Sequence, residues 1–311
     1  MSARARSRRL LARPILAAAF ALLTACGGGG LEGHLRSGED YLEKGRWEEA
    51  RLEGIYVLRE DPGNSEALWI VGRSLMHLDR DGEAKGYLRS LVKADGSYRI
   101  KAAELYDSFA RKDFEARRLG RAAERWQSAL EFESELNLGA HDFFVGNHFF
   151  RMQDYEQSAR LFARAEEAFP DSSAVLETLF PHAQSLARLG RWEEAGEQLE
   201  RFLRQAPQHP RRLEAIYLYQ DVMLRLARAD RELLDFGKAL EKLDGVLRYR
   251  ANPGMIEAAL LEKGRCLEEL GRYREAAESY RRLIDENSSG TGRAVEAAME
   301  RLETLEKARL K

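Results

Sequence analysis

The chain has 311 residues, of which 44% are hydrophobic and 33% charged, and its 50 basic and 52 acidic side chains leave a formal net charge of −2. So even a balance excludes general nucleic-acid binding, which needs a basic face to neutralise phosphates. The charged fraction exceeds the usual ~25%, as expected of an elongated fold with much surface per residue.

The first segment is set apart from the rest. Arg4, Arg6, Arg8, Arg9 and Arg13 make it basic, and without them 45 basic residues face 52 acidic ones, so the body is mildly acidic. Ile15 to Leu23 is a nine-residue apolar run, followed by Leu23-Thr24-Ala25-Cys26. A run this short fits a secretion signal; a spanning helix needs ~20 apolar residues. The ending resembles a bacterial lipobox, with a branched residue at Leu23, small residues at 24 and 25, and the obligatory Cys26. The resemblance implies cleavage of residues 1–25 and lipidation, palmitate included, of Cys26 as the first mature residue. Two or three acyl chains hold a protein on a membrane where one does not, at ~0.8 kcal/mol per buried CH₂. Gly27, in place of an Asp, omits the usual inner-membrane retention signal, so the expected site is the outer membrane, facing the periplasm. Residues 26–30 form the lipidated Cys and a Gly tether; its four glycines span about 10–12 Å.

From Leu31 the chain repeats itself. Gly45-Arg46-Trp47-Glu48-Glu49-Ala50 recurs unchanged at Gly190 to Ala195 and, varied, at Gly271 to Ala276. Counting Leu31 as position 1 puts Gly38 at position 8, Tyr41 at 11, Gly45 at 15, Trp47 at 17, Ala50 at 20 and Pro62 at 32. Small residues at 8 and 20 let two helices of a hairpin approach, and Gly at 15 supplies the left-handed stop of the first helix. The second unit, Ser65 to Tyr98, keeps Gly72 and Ala84 at positions 8 and 20. The third fits best from Ala103, with Ala110, Ala122 and Trp126 in register and extra residues on either side that predict longer helices or a shifted connection. The fourth is Gly139 to Ser172. The fifth is Leu176 to His209, where Pro181 at position 6 is expected near the first turn, the place a helix tolerates proline. The sixth, Pro210 to Pro253, is overlong, with a first helix predicted around Leu213 to Arg228 and Ala239, Leu243 and Val246 marking the second. The seventh is Glu257 to Gly290. A last helix, Arg293 to about Arg309 within residues 291–311, is expected to cap the open end of the core.

These residues resemble the tetratricopeptide repeat (TPR) over nearly all of 31–290. The resemblance implies an all-α TPR superhelical solenoid of about seven helix-turn-helix units with a C-terminal capping helix. It also implies that positions 2, 5, 9 and 12 of the first helices line a concave groove. Trp69, Phe143 and Phe180 stand at position 5, and Met76, Phe114 and Phe150 at position 12, so that groove reads as apolar and aromatic, suited to a segment of a protein partner. The Lys and Asn residues with which some TPR domains clamp a terminal carboxylate are missing, apart from Asn147 at position 9.

Enzymatic motifs for zinc proteases, P-loops, serine hydrolases and paired C-x-x-C sites are absent from the sequence, and the reading is of a non-enzyme without cofactors or metal. His141 and His148 share a helical face seven residues apart. Arg117, Arg121 and Arg125 line up at i, i+4, i+8, a spacing that offers a basic stripe to anionic lipid or an acidic partner, while the interleaved Glu115 and Glu124 favour a solvated helix face. Cys266 reads as a small buried residue.

Lipobox and repeats together resemble bacterial TPR lipoproteins: the BamD-type lipoproteins of outer-membrane protein assembly and the TPR pilotins of secretins. The turn Leu270-Gly271-Arg272-Tyr273 and the pair Tyr280 and Leu283 look most like the BamD-type group. What this implies is a membrane-anchored scaffold for envelope proteins that assists assembly of outer-membrane or secretion machinery. The alternative is an accessory scaffold for peptidoglycan remodelling or polysaccharide export.

Overall fold

A computed structural model describes residues 30–170, 173–287 and 292–309. Cys26 and the whole leader lie outside the described residues. The described residues form seven antiparallel helical hairpins and a final helix, with no strand among them. They fall into two compact units, divided between Leu136 and Asn137.

The first unit holds three hairpins: α1 (Leu31–Glu43) with α2 (Trp47–Glu60), α3 (Ser65–His77) with α4 (Asp81–Ala94), and α5 (Tyr98–Glu115) with α6 (Leu119–Phe132). The second opens on a short 3-10 turn, Gly139–His141. It continues with α7 (Asp142–Arg151) and α8 (Tyr155–Ala168), α9 (Ser173–Arg188) and α10 (Trp192–Gln205), α11 (Arg212–Glu232) and α12 (Phe236–Leu247), and α13 (Pro253–Glu269) and α14 (Tyr273–Glu286). It ends with α15 (Arg293–Arg309).

One turn geometry recurs in all seven hairpins. The residues at the left-handed stop are Gly45, Asp79, Arg117, Gln153, Gly190, Leu234 and Gly271, all with φ between 58° and 75°. Seven residues before each stands a Gly or Ala, and five after each a fully buried Ala50, Ala84, Ala122, Ser158, Ala195, Ala239 or Ala276. These small pairs set the crossing of the two helices: Gly72, Gly146 and Gly264 each face the large residue four past the buried Ala or Ser, while in the first hairpin that place is Gly54 and Gly38 meets Ile70 instead. At Gly72 an added methyl would come within 2.7 Å of Leu88, and at Gly146 within 2.9 Å of Phe162. The recurrent Arg–Glu of the hexapeptide is explained at the same turn. Arg46, Arg80, Arg191 and Arg272 precede their second helices and pair with Glu49, Glu83, Glu194 and Glu275 three residues on. Those hydrogen bonds lower the four glutamates' pKa values.

The overlong units keep this register and add length at their N-termini. Counted back from Ala122 and Ala239, their first positions are Ala103 and Gln220, whereas α5 begins at Tyr98 and α11 at Arg212. Gln220 is fully buried and donates its amide to the carbonyls of Val246 and Tyr249 at 3.0 and 2.7 Å, satisfying the end of α12. Pro181 departs from expectation. Because α9 starts at Ser173, the proline is the ninth residue of its helix and lies inside it. It lacks the donor that the third turn would use; Ser185, one turn on, donates its hydroxyl to the Pro181 carbonyl at 3.0 Å.

Each unit buries its own core. In the second, α15 lays Val295 and Ala298, both fully buried, with Leu302 and Leu305 against the cluster of α13 and α14. Arg301 bonds Glu268, and Arg281 bonds Glu306 at 3.0 Å, fixing this cap from both sides. Among the described residues no helix is long and apolar enough to cross a membrane.

Candidate partner-binding surfaces

The six aromatic or apolar residues expected to line one groove do not share one environment. In the first unit Met76 is fully buried, so it is core and offers a partner no surface. Its place at the end of α3 turns it into the hairpin. Phe114 is half-buried beside Trp126, with centroids 5.6 Å apart; the Trp126 indole donates to Asp107 at 2.7 Å. Trp69 is partly accessible as well. It is half-buried on α3, 6.0 Å from the Tyr98 ring, and the Lys101 ammonium stands 4.4 Å from its centroid.

In the second unit Phe180 is 2% exposed, stacked 5.6 Å from Phe202 and covered by the Arg211 guanidinium at 4.3 Å. It too is core, because the ring enters the gap between α9 and α10. Phe143 is half-buried and packs against the cluster that α9, α10 and α11 share. Phe150 is half-buried, edge-on to Tyr155 at 5.8 Å. Asn147 is engaged by its own helix, donating to the Phe143 carbonyl at 2.9 Å. Sequence spacing places these residues on one helical face, but how far each ring sinks depends on the neighbouring hairpin.

The surface that the spacing missed is a cleft of about 370 Å³ between α11 and α13, lined by Asp221, Leu224, Arg225, Arg228, Met255 and Ala258, with Asn252 and Gly254 at one end. Leu224, Met255 and Ala258 give it an apolar floor. Arg225 pairs with Asp221 at 2.8 Å and lies over the Trp192 ring at 5.1 Å. Arg228 is exposed and has no charged partner among the described residues. An apolar floor beside an uncommitted guanidinium suits an acidic side chain or carboxylate carried on an apolar segment. The signal was present: counted back from Ala239, Asp221, Leu224 and Arg228 occupy positions 2, 5 and 9.

A family model described as the tetratricopeptide repeat matches residues 35–99, 146–210 and 224–291, together more than half of the chain. The chain belongs to the tetratricopeptide repeat family. The unmatched stretch between the first two segments holds most of the α5–α6 hairpin, where Arg117 replaces the turn glycine. No curated protein matches the sequence. Among solved structures, this TPR protein is similar to Naa15/Naa10 bound to HypK-THB, at 17% identity over 87% of this chain and 39% of that one, with a TM-score of 0.36. It thus spans about two fifths of that chain's length. YrrB, described as a TPR protein with an unusual peptide-binding site, is 18% identical over 65% of this chain and 94% of its own, with a TM-score of 0.32. A TPR protein from Parabacteroides merdae is 14% identical over 86% and 98%, with a TM-score of 0.31. At these scores the assignment rests on the repeat match alone. TPR repeats make the chain a protein–protein interaction scaffold.

The arginine stripe, the histidine pair and Cys266 have structural roles. Arg121 and Arg125 present no basic stripe to solvent. Arg125 is 3% exposed and donates to Asp113 at 2.6 Å, Asp81 at 3.0 Å and Asp79 at 3.0 Å. Arg121 bonds Asp79, and Arg118 bonds the fully buried Asp113 at 2.6 Å. Three arginines and three aspartates thus lock the α3–α4 turn onto α5 and α6. The spacing showed which arginines share a face but not that this face turns inward. Among the described residues no group of three or more His, Cys, Asp or Glu is placed to hold a metal ion. His141 is bonded to the Leu138 carbonyl at 3.1 Å, and His148 lies edge-on to Phe149. Cys266 is fully buried, and burial, reinforced by Glu262, pushes its thiol up to about 11.

Proposed function

We propose that this TPR protein is a lipid-anchored scaffold of the bacterial envelope that holds protein partners on its repeats and assists assembly of outer-membrane or secretion machinery. The observation that carries this reading is the sequence junction at which Leu23-Thr24-Ala25-Cys26 is joined to the first hairpin by four glycines. A tether of about 10–12 Å holds that hairpin at the lipid surface and leaves later hairpins to reach into the periplasm. Two surfaces of different chemistry support a partner-binding role: the half-buried Trp69 on the first unit, and the Arg228 cleft on the second. A scaffold with two chemically distinct sites can hold two segments without mixing them.

The test is acyl labelling in a bacterial host. Labelled palmitate is expected in the wild-type chain, which fractionates with the outer membrane, and Cys26→Ser is expected to lose the label and keep residues 1–25 uncleaved. An unlabelled wild-type chain, or a Cys26→Ser chain that still carries the label, contradicts the anchor.

A further inference from the structure

The Lys101 ammonium has an unusual set of neighbours. It lies 4.4 Å from the Trp69 centroid and 5.0 Å from that of Tyr98, yet no carboxylate pairs with it among the described residues. Two carboxylates are nearby and equally uncommitted. Glu66 is one turn before Trp69 on α3, and Glu39 is at position 9 of α1; both are exposed, and neither has an ion-pair partner among the described residues. Their field reaches the ring pair: burial first, and then the charges of Glu66, Asp95 and Glu39, raise the pKa of the Tyr98 hydroxyl. A half-buried indole, a tyrosine ring and two unpaired acids form a receptor for a cation, because the ring faces attract positive charge and the acids hold it near.

We propose that the Trp69 surface receives a lysine or arginine side chain from a basic segment of a partner protein, and that Lys101 is its built-in competitor. This rests on the reading of the chain as a partner-binding scaffold and names the chemistry of one partner. Lys101 is exposed, at the end of a flexible stem on the first turn of α5, so it leaves the rings by rotamer changes alone, without moving a helix. An incoming cation must displace it, and the apparent affinity falls by the fraction of time it occupies the rings.

The experiment titrates the purified full-length chain with an acetylated, amidated tetralysine peptide, with tetraglutamate as the charge control. Lys101→Ala is expected to bind tetralysine about fivefold more tightly than wild type, by vacating the rings. Lys93→Ala makes the same change of net charge on α4, where the ammonium lies over neither ring, and is expected to stay within about twofold of wild type on ordinary screening. Trp69→Leu is expected to lose about tenfold. If Lys101→Ala binds no more tightly than Lys93→Ala, the competitor role is wrong. Unchanged binding by a folded Trp69→Leu chain overturns the receptor. Should Trp69→Leu unfold, the comparison of Lys101→Ala with Lys93→Ala still decides. Failure of tetralysine to bind, alongside capture of a protein by a photoreactive residue at position 69, overturns the cation chemistry and leaves the scaffold reading standing.

Discussion

Gly264 stands where α13 crosses α14, and a methyl group there would come within 2.3 Å of the Tyr280 ring. The ring cannot give way, because its hydroxyl donates to Glu268 at 2.5 Å and Glu268 is held by Arg301. Gly264→Ala is therefore expected to destabilise the chain by about 1–3 kcal/mol, read as a lower urea midpoint. Leu234 is the opposite case. It is 73% exposed at φ 62°, a conformation that costs a side chain about 1–2 kcal/mol. Leu234→Gly removes that cost but frees the unfolded chain, so a net gain of up to about 1 kcal/mol is expected in the same assay. His77 stacks on Trp47 with centroids 3.6 Å apart and meets the edge of Phe109 at 4.9 Å. Burial, and then the charges of Arg73 and Lys112, lower its pKa from 6.5 to about 4. The unfolded chain thus binds the extra proton. Stability is full above about pH 6.5 and falls as pH drops towards 4. His77→Leu is expected to flatten that part of the pH–stability curve.

At the scale of elements, the α5–α6 hairpin is held by charge more than its neighbours are. Asp113→Asn leaves Arg118 and Arg125 short of their buried counter-ion, with an expected cost of about 3–5 kcal/mol. Hydrogen exchange should show the loss first in α5 and α6. Desolvation raises the pKa of Asp79, but hydrogen bonds from Arg125 and Arg121 outweigh it, and the pKa lies below the ordinary value. Its contribution is present at neutral pH and is lost as pH falls through the folded-state value. None of this was legible in the sequence, because Asp81 and Arg125 are 44 residues apart and a periodicity cannot say which turn a helix face meets. The hairpins themselves were legible, since Ala50, Ala195 and Ala276 recur at one register and each element depends on contacts within its own repeat. The sixth was half-read. Ala239 fixed its register, but the N-terminal extension of α11 hid the fact that Asp221, Leu224 and Arg228 occupy groove positions. Pro181 was misplaced for a similar reason, as a helix can begin before its repeat does.

At the scale of the whole molecule, a proposed anchor at Cys26 is joined to two proposed partner surfaces. The anchor is a sequence reading, and the surfaces are where sequence and structure part. Spacing named six groove residues; burial withdraws Met76 and Phe180 and leaves Trp69, Phe114, Phe143 and Phe150 half-buried. How deeply a ring sinks is set by the neighbouring hairpin, which a position number does not encode. The most direct measurement replaces Trp69 in one strain and Arg228 in another with a photoreactive residue, irradiates living cells and identifies what is trapped. Discrete adducts with envelope proteins, from both positions, are the predicted result. Adducts only within the chain itself, from both positions, would contradict the claim that these surfaces bind partners.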